Sequence, residues 1–168
     1  MADYAGQEVH VENRPGRAPV AEGLAISLSR TDDVAMCAVA RCAAIGIDVE
    51  RLRPWHELAD MASLVGESSP GDAQGLLALW TRKEAIAKAL GTGLPDDVRT
   101  LKTPKNPPET GEWVRERERL WIGCPCVEGC VASLVLGQPG PDARGMVGIT
   151  ETRSDEPGLR GWSIALRH

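Results

Sequence analysis

The sequence predicts an α+β fold in which an antiparallel sheet packs against one long helix. Apolar side chains alternate with small or polar ones between Leu24 and Glu50, which is the period of half-buried strands. From Leu76 to Leu90 they recur three and four residues apart, which is typical of an amphipathic helix. Gly91 and Gly93 then end the helical pattern.

Composition narrows the class of protein. The chain has 168 residues, 42% hydrophobic and 26% charged, which fits one globular domain over residues 1–168. Its net charge of -5 argues against nucleic-acid binding. No apolar run approaches the ~18 residues of a membrane span, and the N-terminus lacks the apolar run of a signal peptide. Five irregularly spaced cysteines suggest reduced thiols, so we expect a cytoplasmic protein.

Three strands are predicted in the first third of the chain, over about 24–29, 34–39 and 44–50. The short turns between them favour an antiparallel meander. In the third strand Asp48 and Glu50 lie two residues apart, so both carboxylates share one face about 7 Å apart. Like charges this close are unfavourable unless a cation lies between them.

Two helices are predicted after this strand. Pro54 suits the first turn of a helix over about 55–65. The long helix is expected to begin at Ser69-Pro70, with Asp72 in its first turn. Gly91 is expected to close it in the left-handed conformation.

The long helix carries two stripes. Trp80, Glu84 and Lys88 follow one another at four-residue spacing and share a face. Lys83 lies inside the apolar stripe, where an ammonium must extend to solvent or meet a partner. Glu84 and Lys88 form either an exposed ion pair, worth ~0.2–0.5 kcal/mol, or half of a site.

The second half of the chain has weaker signals. Residues 98–103 favour a strand, and 104–111 a linker or hairpin tip. Residues 113–124 alternate apolar and charged side chains, which fits one exposed strand or a charged helix. A buried strand is predicted over 129–136 and a short edge strand over 163–166. Residues 1–14 and about 137–160 are expected to be flexible.

Three acids form the strongest chemical constellation. If the chain folds back after the third strand, Glu84 lies against Asp48 and Glu50. Three carboxylates are a ligand set for a hard divalent cation such as Mg²⁺, with Lys88 placed to neutralise a phosphate. The inferred chemistry is metal-assisted attack on a phosphate or pyrophosphate. Zinc at Cys124, Cys126 and Cys130 lacks a fourth ligand at suitable spacing, so free thiols are the better interpretation.

Two sequence stretches resemble the paired motif of the 4′-phosphopantetheinyl transferases. These are GIDVE at residues 46–50 and WTRKEAIAKALG at residues 80–91. Upstream, GRAP at residues 16–19 resembles the family's G-[KR]-P segment, and SLSRT at residues 27–31 its S-x-[ST]-H-[ST] segment. The four motifs stand in the family's order. The resemblance favours the surfactin-type (Sfp-type) branch in a short form, with the family fold and a shortened N-terminal half.

The resemblance implies a reaction and a set of roles. The 4′-phosphopantetheine arm of coenzyme A moves to a serine of an apo acyl or peptidyl carrier protein, and 3′,5′-ADP leaves. Such holo-acyl-carrier-protein synthase activity serves polyketide or nonribosomal peptide biosynthesis. Catalysis is assigned to Glu84, Lys88 and Asp48, and Mg²⁺ binding to Asp48, Glu50 and Glu84. Coenzyme A contacts are assigned to five residues: Arg17, Ser29, Arg30, Lys83 and Lys88.

Two departures from the family pattern affect these expectations. Arg30 replaces the histidine of the third motif, so a cation for phosphate is kept while a neutral base is lost. Only 15 residues precede Gly16, where this branch usually has a longer segment that supplies cations to coenzyme A. Self-association would fill the open side of the site.

Two alternatives to an active transferase stay open. The first is a truncated, non-catalytic relative that binds a carrier domain or coenzyme A. The second is an unrelated α+β protein with an exposed Glu84–Lys88 pair.

Overall fold

The structure, a computed structural model, describes residues 2–4, 7–9, 22–31, 34–65, 72–104, 110–115, 118–139, 147–153 and 160–164. Two α-helices and ten strands follow one another in these ranges. They are β1 (Ala2–Tyr4), β2 (Gln7–Val9), β3 (Ala25–Thr31), β4 (Val34–Ala40), β5 (Cys42–Arg51), α1 (Ala59–Val65), α2 (Ala73–Leu90), β6 (Thr110–Arg115), β7 (Glu118–Gly123), β8 (Cys130–Pro139), β9 (Val147–Arg153) and β10 (Arg160–Ile164).

The strands form three antiparallel sheets. β1 pairs with β2 alone. An outer sheet has the order β10-β9-β4-β3, and a central sheet has the order β5-β8-β7-β6. Side chains of β4 pack into one cluster with those of β5 and β8, while α2 packs with β7 and β8 in another. The central sheet therefore lies between the outer sheet and α2, and the predicted α+β class is confirmed.

The expected three-stranded meander is wrong at its third strand. β3 pairs with β4 as predicted, from Ala25–Ala40 to Thr31–Val34. β5, however, pairs with β8, and the free side of β4 pairs with β9. The chain leaves the outer sheet at the bend of Arg41 and enters the central sheet. This long-range pairing has no local signal, because the partner strands lie some 90 to 110 residues further on.

Helix α2 begins and ends at residues with clear capping chemistry. The Asp72 carboxylate accepts a hydrogen bond from the Gly75 amide at 2.7 Å, so Asp72 is the N-cap rather than a first-turn residue. The predicted cap at Ser69-Pro70 lies outside the described residues. Gly91 closes the helix with φ 67° and donates its amide hydrogen bond back to the last turn, as predicted.

Other boundaries differ from the predictions in the less periodic regions. Residues 98–100 form a 3₁₀ turn rather than a strand, and a further 3₁₀ turn over 55–57 precedes the shorter helix α1. The single element expected over 113–124 is a hairpin of β6 and β7. Both regions expected to be flexible contain strands: β1 and β2 within residues 1–14, and the end of β8 and all of β9 within residues 137–160.

One glycine sets the distance between the helix and the central sheet. A Cβ built at Gly46 in β5 would overlap the carbonyl oxygen of Ala85 and lie 2.8 Å from the amide nitrogen of Ala89. No other residue type fits there without moving α2. The close approach brings the side chains that follow Gly46 on the same face against α2.

Candidate functional site

The site is built where β5 leaves its contact with α2. Ile45, Ile47 and Val49 are buried in the cluster between the two four-stranded sheets. Because strand side chains alternate, Gly46, Asp48 and Glu50 face α2. The sequence predicted this division of β5 into an apolar face and an acidic face. It is confirmed by the three apolar residues in the core cluster and by the contact of Gly46 with the backbone of α2.

Asp48 is the centre of the polar contacts. Only 8% of its side chain is exposed. Lys88 Nζ donates a hydrogen bond to Asp48 Oδ1 at 2.7 Å and to the Ile47 carbonyl at 3.0 Å. The Lys88 side chain keeps 32% of its surface exposed, so its ammonium joins a buried acid to solvent. Charge-assisted hydrogen bonds of this length are among the stronger polar contacts in proteins.

A serine from the outer sheet completes the contacts of Asp48. Ser29 Oγ in β3 donates to Asp48 Oδ1 at 2.8 Å and accepts from the Val49 amide at 3.2 Å. Ser27, two residues earlier, accepts from the Ile47 amide at 3.0 Å. β5 is the edge strand of the central sheet, so these hydroxyls satisfy amides on its open edge. We call this contact between β3 and β5 the serine seam.

Glu84 lies within the electrostatic influence of both strand acids. Burial raises the pKa of Glu84, and the charges of Asp48 and Glu50 raise it further, while Lys88 opposes them. Burial also raises the pKa of Asp48, against the lowering effect of Lys88 and Ser29. Raised carboxylate pKa values beside a partly exposed cation are typical of functional sites.

The fit of a divalent cation can be judged from these acids. In the described parts of the chain, no group of three His, Cys, Asp or Glu side chains forms a metal-binding arrangement. Asp48 is turned to Lys88, and Glu50 Oε2 accepts from Arg53 at 3.1 Å. However, Asp48 Oδ2 is buried and has no hydrogen-bond partner. An orphaned carboxylate oxygen beside two more carboxylates has the donor chemistry that Mg²⁺ uses.

The structure brings some predicted site residues together and leaves others apart. Asp48, Lys88 and Ser29 are in direct contact, and Glu84 and Glu50 are close enough to act on one another's charge. Arg17 lies outside the described residues. Arg30 is exposed and, by strand alternation, on the opposite face of β3 from Ser29.

Lys83 points away from these acids. Its side chain is fully buried, and Nζ donates to the Leu101 carbonyl and, at 3.3 Å, to the Val98 carbonyl. The sequence predicted that this lysine in the apolar stripe needs a partner, and the partner is the backbone that follows α2. A fully buried ammonium offers no surface to coenzyme A, so the structure gives no support to the expected ligand contact.

Three polar residues near the site were missed by the sequence analysis. Ser27 supports the β5 edge, and Thr81 of α2 forms a buried hydrogen bond of 2.9 Å with Ser133 of β8. Ser133 lies opposite Asp48 in the β5–β8 register. Their signal is a single hydroxyl inside an otherwise apolar periodic run, which calls for a buried partner.

An open groove of about 300 Å³ meets the site at Lys88. Its walls are the beginnings of β3 and β5 and the last turn of α2, and Lys88 lines it as well. A ligand in this groove therefore has direct access to the ammonium that holds Asp48.

The described residues add two general observations. All five cysteines are free thiols, as predicted. No described helix has the length and apolarity needed to span a membrane.

Comparison with known proteins agrees with the motifs. A sequence model of the 4′-phosphopantetheinyl transferase superfamily, the ACPS domain, matches residues 44–125. The chain is 33% identical over 97 residues to the 4′-phosphopantetheinyl transferase HetI of Nostoc sp. (strain PCC 7120). That alignment covers 51% of this chain and 41% of HetI, so the chain matches about two fifths of the relative's length. No solved structure matches this chain. Residues 44–125, which include Asp48, Glu84 and Lys88, are thus the part of the chain that is similar to the ACPS domain of the 4′-phosphopantetheinyl transferase superfamily.

Proposed function

We propose that this protein is an Mg²⁺-dependent 4′-phosphopantetheinyl transferase of the Sfp type. Its substrates are coenzyme A and an apo acyl or peptidyl carrier protein, and its products are holo carrier protein and 3′,5′-ADP. The observation that carries the proposal is the Lys88–Asp48 pair beside Glu84, within the stretch that matches the superfamily. We propose that the reaction takes place in the cytoplasm, and the free thiols, which fit a reducing compartment, support this.

Lys88 is the residue best placed to bind the pyrophosphate of coenzyme A. Its ammonium is partly exposed and lines the open groove. A phosphate oxygen at Nζ would exchange with Asp48 Oδ1 or share the ammonium with it, because an ammonium has three donors. Lys88 would also counter the charge that develops on 3′,5′-ADP as the bond to phosphorus breaks.

Glu84 is the candidate base. The carrier serine must lose its proton as its Oγ forms a bond to the phosphorus of the phosphopantetheine arm. Because burial and the neighbouring acids raise the pKa of Glu84, its ionised form accepts a proton more readily than an ordinary glutamate. The proton moves to Glu84, the electron pair of the broken bond leaves with 3′,5′-ADP, and the new phosphodiester stays on the carrier.

Asp48, Glu50 and Glu84 are the residues that would hold Mg²⁺. Asp48 offers the orphaned Oδ2, and Glu50, which pairs with Arg53, keeps 22% of its side chain exposed. When bound, the ion would supply charge neutralisation to the pyrophosphate.

A mass-spectrometric assay tests the proposed function. Apo carrier protein, coenzyme A and Mg²⁺ are mixed with the protein, and a gain of one phosphopantetheine on the carrier is expected. The Glu84→Ala and Asp48→Ala variants should lose it. No gain with several acyl and peptidyl carriers would reject the activity, whereas full activity in both variants would reject the site.

One observation favours a second candidate function, a non-catalytic protein that binds a carrier domain or coenzyme A. Asp48 and Glu50 each pair with a cation of this chain, which suits a stable binding surface as well as a catalytic one. This candidate predicts binding of coenzyme A or carrier by calorimetry without mass gain in the assay. Solution mass measured alongside would test the expected self-association.

A further inference from the structure

We propose that Ser29 is a positioning residue for Asp48 and donates no hydrogen bond to the phosphates of the nucleotide. The proposal rests on the proposed function in one respect, since it takes Asp48 to be a ligand of the divalent cation. It reassigns the proton of one hydroxyl from the substrate to the protein's own carboxylate.

The first argument is a count of protons. A serine hydroxyl has one proton and accepts through its lone pairs. The Val49 amide can only donate, so Ser29 Oγ accepts from it at 3.2 Å. The carboxylate can only accept, so the single proton of Ser29 points to Asp48 Oδ1 at 2.8 Å. A phosphate also needs a donor, and Ser29 has none left to give.

The second argument concerns which oxygen of Asp48 is free. Ser29 and Lys88 both donate to Oδ1, from β3 and from α2. Two donors on one oxygen, approaching from different elements, fix the rotation of the carboxylate. The other oxygen, Oδ2, is left buried without a hydrogen-bond partner. Ser29 therefore keeps Oδ2 presented, which is the role of an outer-shell partner to a metal ligand.

The hydrogen bond from Ser29 to Asp48 should persist when substrate binds, whereas the one from Lys88 need not. An arriving phosphate would draw the Lys88 ammonium towards itself, since that side chain is one-third exposed. Ser29 is held at the same time by the Val49 amide, so its contact survives the change. The orientation of the Asp48 carboxylate then depends on the Ser29 hydroxyl alone.

Ser27 supplies a matched control on the same strand. It accepts from the Ile47 amide at 3.0 Å, as Ser29 accepts from the Val49 amide. It is more buried than Ser29, and its hydrogen bond to β5 is with this backbone amide. Ser27→Ala thus removes a comparable bond of the serine seam without touching a carboxylate.

The test measures metal binding in the full-length protein without coenzyme A or carrier. Mn²⁺ replaces Mg²⁺ as the probe, because both prefer oxygen ligands and octahedral geometry, and free Mn²⁺ is counted by its electron paramagnetic resonance signal. Ser29→Ala should raise the Mn²⁺ dissociation constant by about tenfold or more. Ser29→Thr, which keeps the hydroxyl, should stay within about threefold of wild type, and Ser27→Ala within about twofold.

A second titration separates the two roles of Ser29. The affinity for 3′,5′-ADP is measured without metal, and it should be equal in wild type and Ser29→Ala. A large loss there, with Mn²⁺ affinity unchanged, would make Ser29 a nucleotide contact and overturn the proposal. Equal loss of Mn²⁺ affinity in Ser27→Ala and Ser29→Ala would also overturn it. That result would mean that weaker contact between β3 and β5, rather than the loss of the Ser29–Asp48 hydrogen bond, lowers the affinity.

The outcome is distinguishable from failure of the proposed function. If wild type transfers phosphopantetheine while Ser29→Ala binds Mn²⁺ normally, the function stands and the positioning role is rejected. If wild type transfers nothing while Ser29→Ala alone loses Mn²⁺ affinity, the positioning role stands and the function is rejected. A wild-type protein that binds no Mn²⁺ rejects the positioning role outright. Circular dichroism and thermal unfolding of each variant confirm that it is folded.

Discussion

Two lysines five residues apart on the same helix differ in burial and in hydrogen-bond partners. Lys83 is fully buried, and its ammonium donates to backbone carbonyls of the segment that follows α2. Lys88 is one-third exposed, and its ammonium donates to a carboxylate and a carbonyl of β5. The same functional group on the same element joins α2 to a turn at one position and to an acid cluster at the other.

The difference shows what makes a charged residue available for chemistry. A buried ammonium bound to uncharged carbonyls has no exposed donor left for a ligand. An ammonium bound to a carboxylate at the edge of a groove can exchange partners when a phosphate arrives, because both partners are anions. We therefore propose a structural role for Lys83 and a functional role for Lys88. Substitutions at these two lysines test the division, and substitutions at Gly46 and Glu84 test the contacts of α2 around them.

The largest effect is expected at Lys88. Replacing Lys88 with Met removes the only described cation in contact with Asp48 and should lower the kcat for phosphopantetheine transfer by about 10²–10³-fold. The melting temperature should fall as well, because Asp48 is then left buried without its counter-charge, so the transfer rate is compared at a temperature where the variant is folded. The measurement is the transfer assay together with thermal unfolding. A variant that keeps more than a tenth of the wild-type rate would remove Lys88 from the mechanism.

A large loss of stability is expected at Gly46, where α2 meets β5. Gly46→Ala places a methyl group against the backbone of Ala85, which cannot yield as a side chain does. Overpacking of this kind costs about 3 kcal/mol of unfolding free energy. Urea unfolding measures it, with Gly91→Ala as a contrast, because nothing lies within 4 Å of a Cβ there and only the positive φ is at stake. Equal stability of Gly46→Ala and wild type would contradict the close contact.

Lys83→Met should act on stability rather than on transfer. It leaves the carbonyls of Val98 and Leu101 without this donor, at a cost of about 1–3 kcal/mol. The KM for coenzyme A should stay within about twofold of wild type once the protein is folded. If Lys83→Met instead raises that KM tenfold at unchanged stability, the contrast between the two lysines fails and Lys83 returns to the ligand site.

The smallest effect on stability is expected at Glu84, and its sign is the informative part. Burial and the acids Asp48 and Glu50 raise the pKa of Glu84 in the folded protein. Its ionised form therefore opposes folding, and metal-free protein loses stability as the pH rises from the ordinary carboxyl range through the raised pKa. Glu84→Gln removes that loss and should raise the melting temperature at pH 7 by about 2 °C.

Transfer activity should fall in the same variant, so stability and activity change in opposite directions. At pH below the ordinary carboxyl pKa the two proteins should unfold at nearly the same temperature. A Glu84→Gln protein less stable than wild type at pH 7 would show that this carboxylate is structurally supported rather than strained by its neighbours.

Local patterns predicted the parts of the fold that position the site. The alternation in β5 gave the acidic face, and the helical period with Gly91 gave the end of α2. Lys83 could be marked as a buried cation because it fell inside the apolar stripe. These features depend on neighbours in sequence, and so a sequence contains them directly.

Features that depend on distant neighbours could not be predicted in the same way. Nothing near β5 indicates that its partner is β8, and nothing near Ser29 indicates that its proton is used by Asp48. The ion pair of Glu50 with Arg53 spans only three residues and could have been predicted from the sequence, but Glu50 was interpreted as a metal ligand instead. Residue types were thus easier to predict than the partners they meet.

Hydrogen exchange at the serine seam can report on local opening of the site. The amide protons of Ile47 and Val49 are held by side-chain hydroxyls across two sheets rather than by a strand ladder. They exchange with deuterium when β3 separates from β5. Amides within the β5–β8 ladder exchange only when a larger part of the structure unfolds. The exchange rates of these two protons therefore report how often the protein separates its sheets at Asp48, residue by residue and in the absence of any ligand.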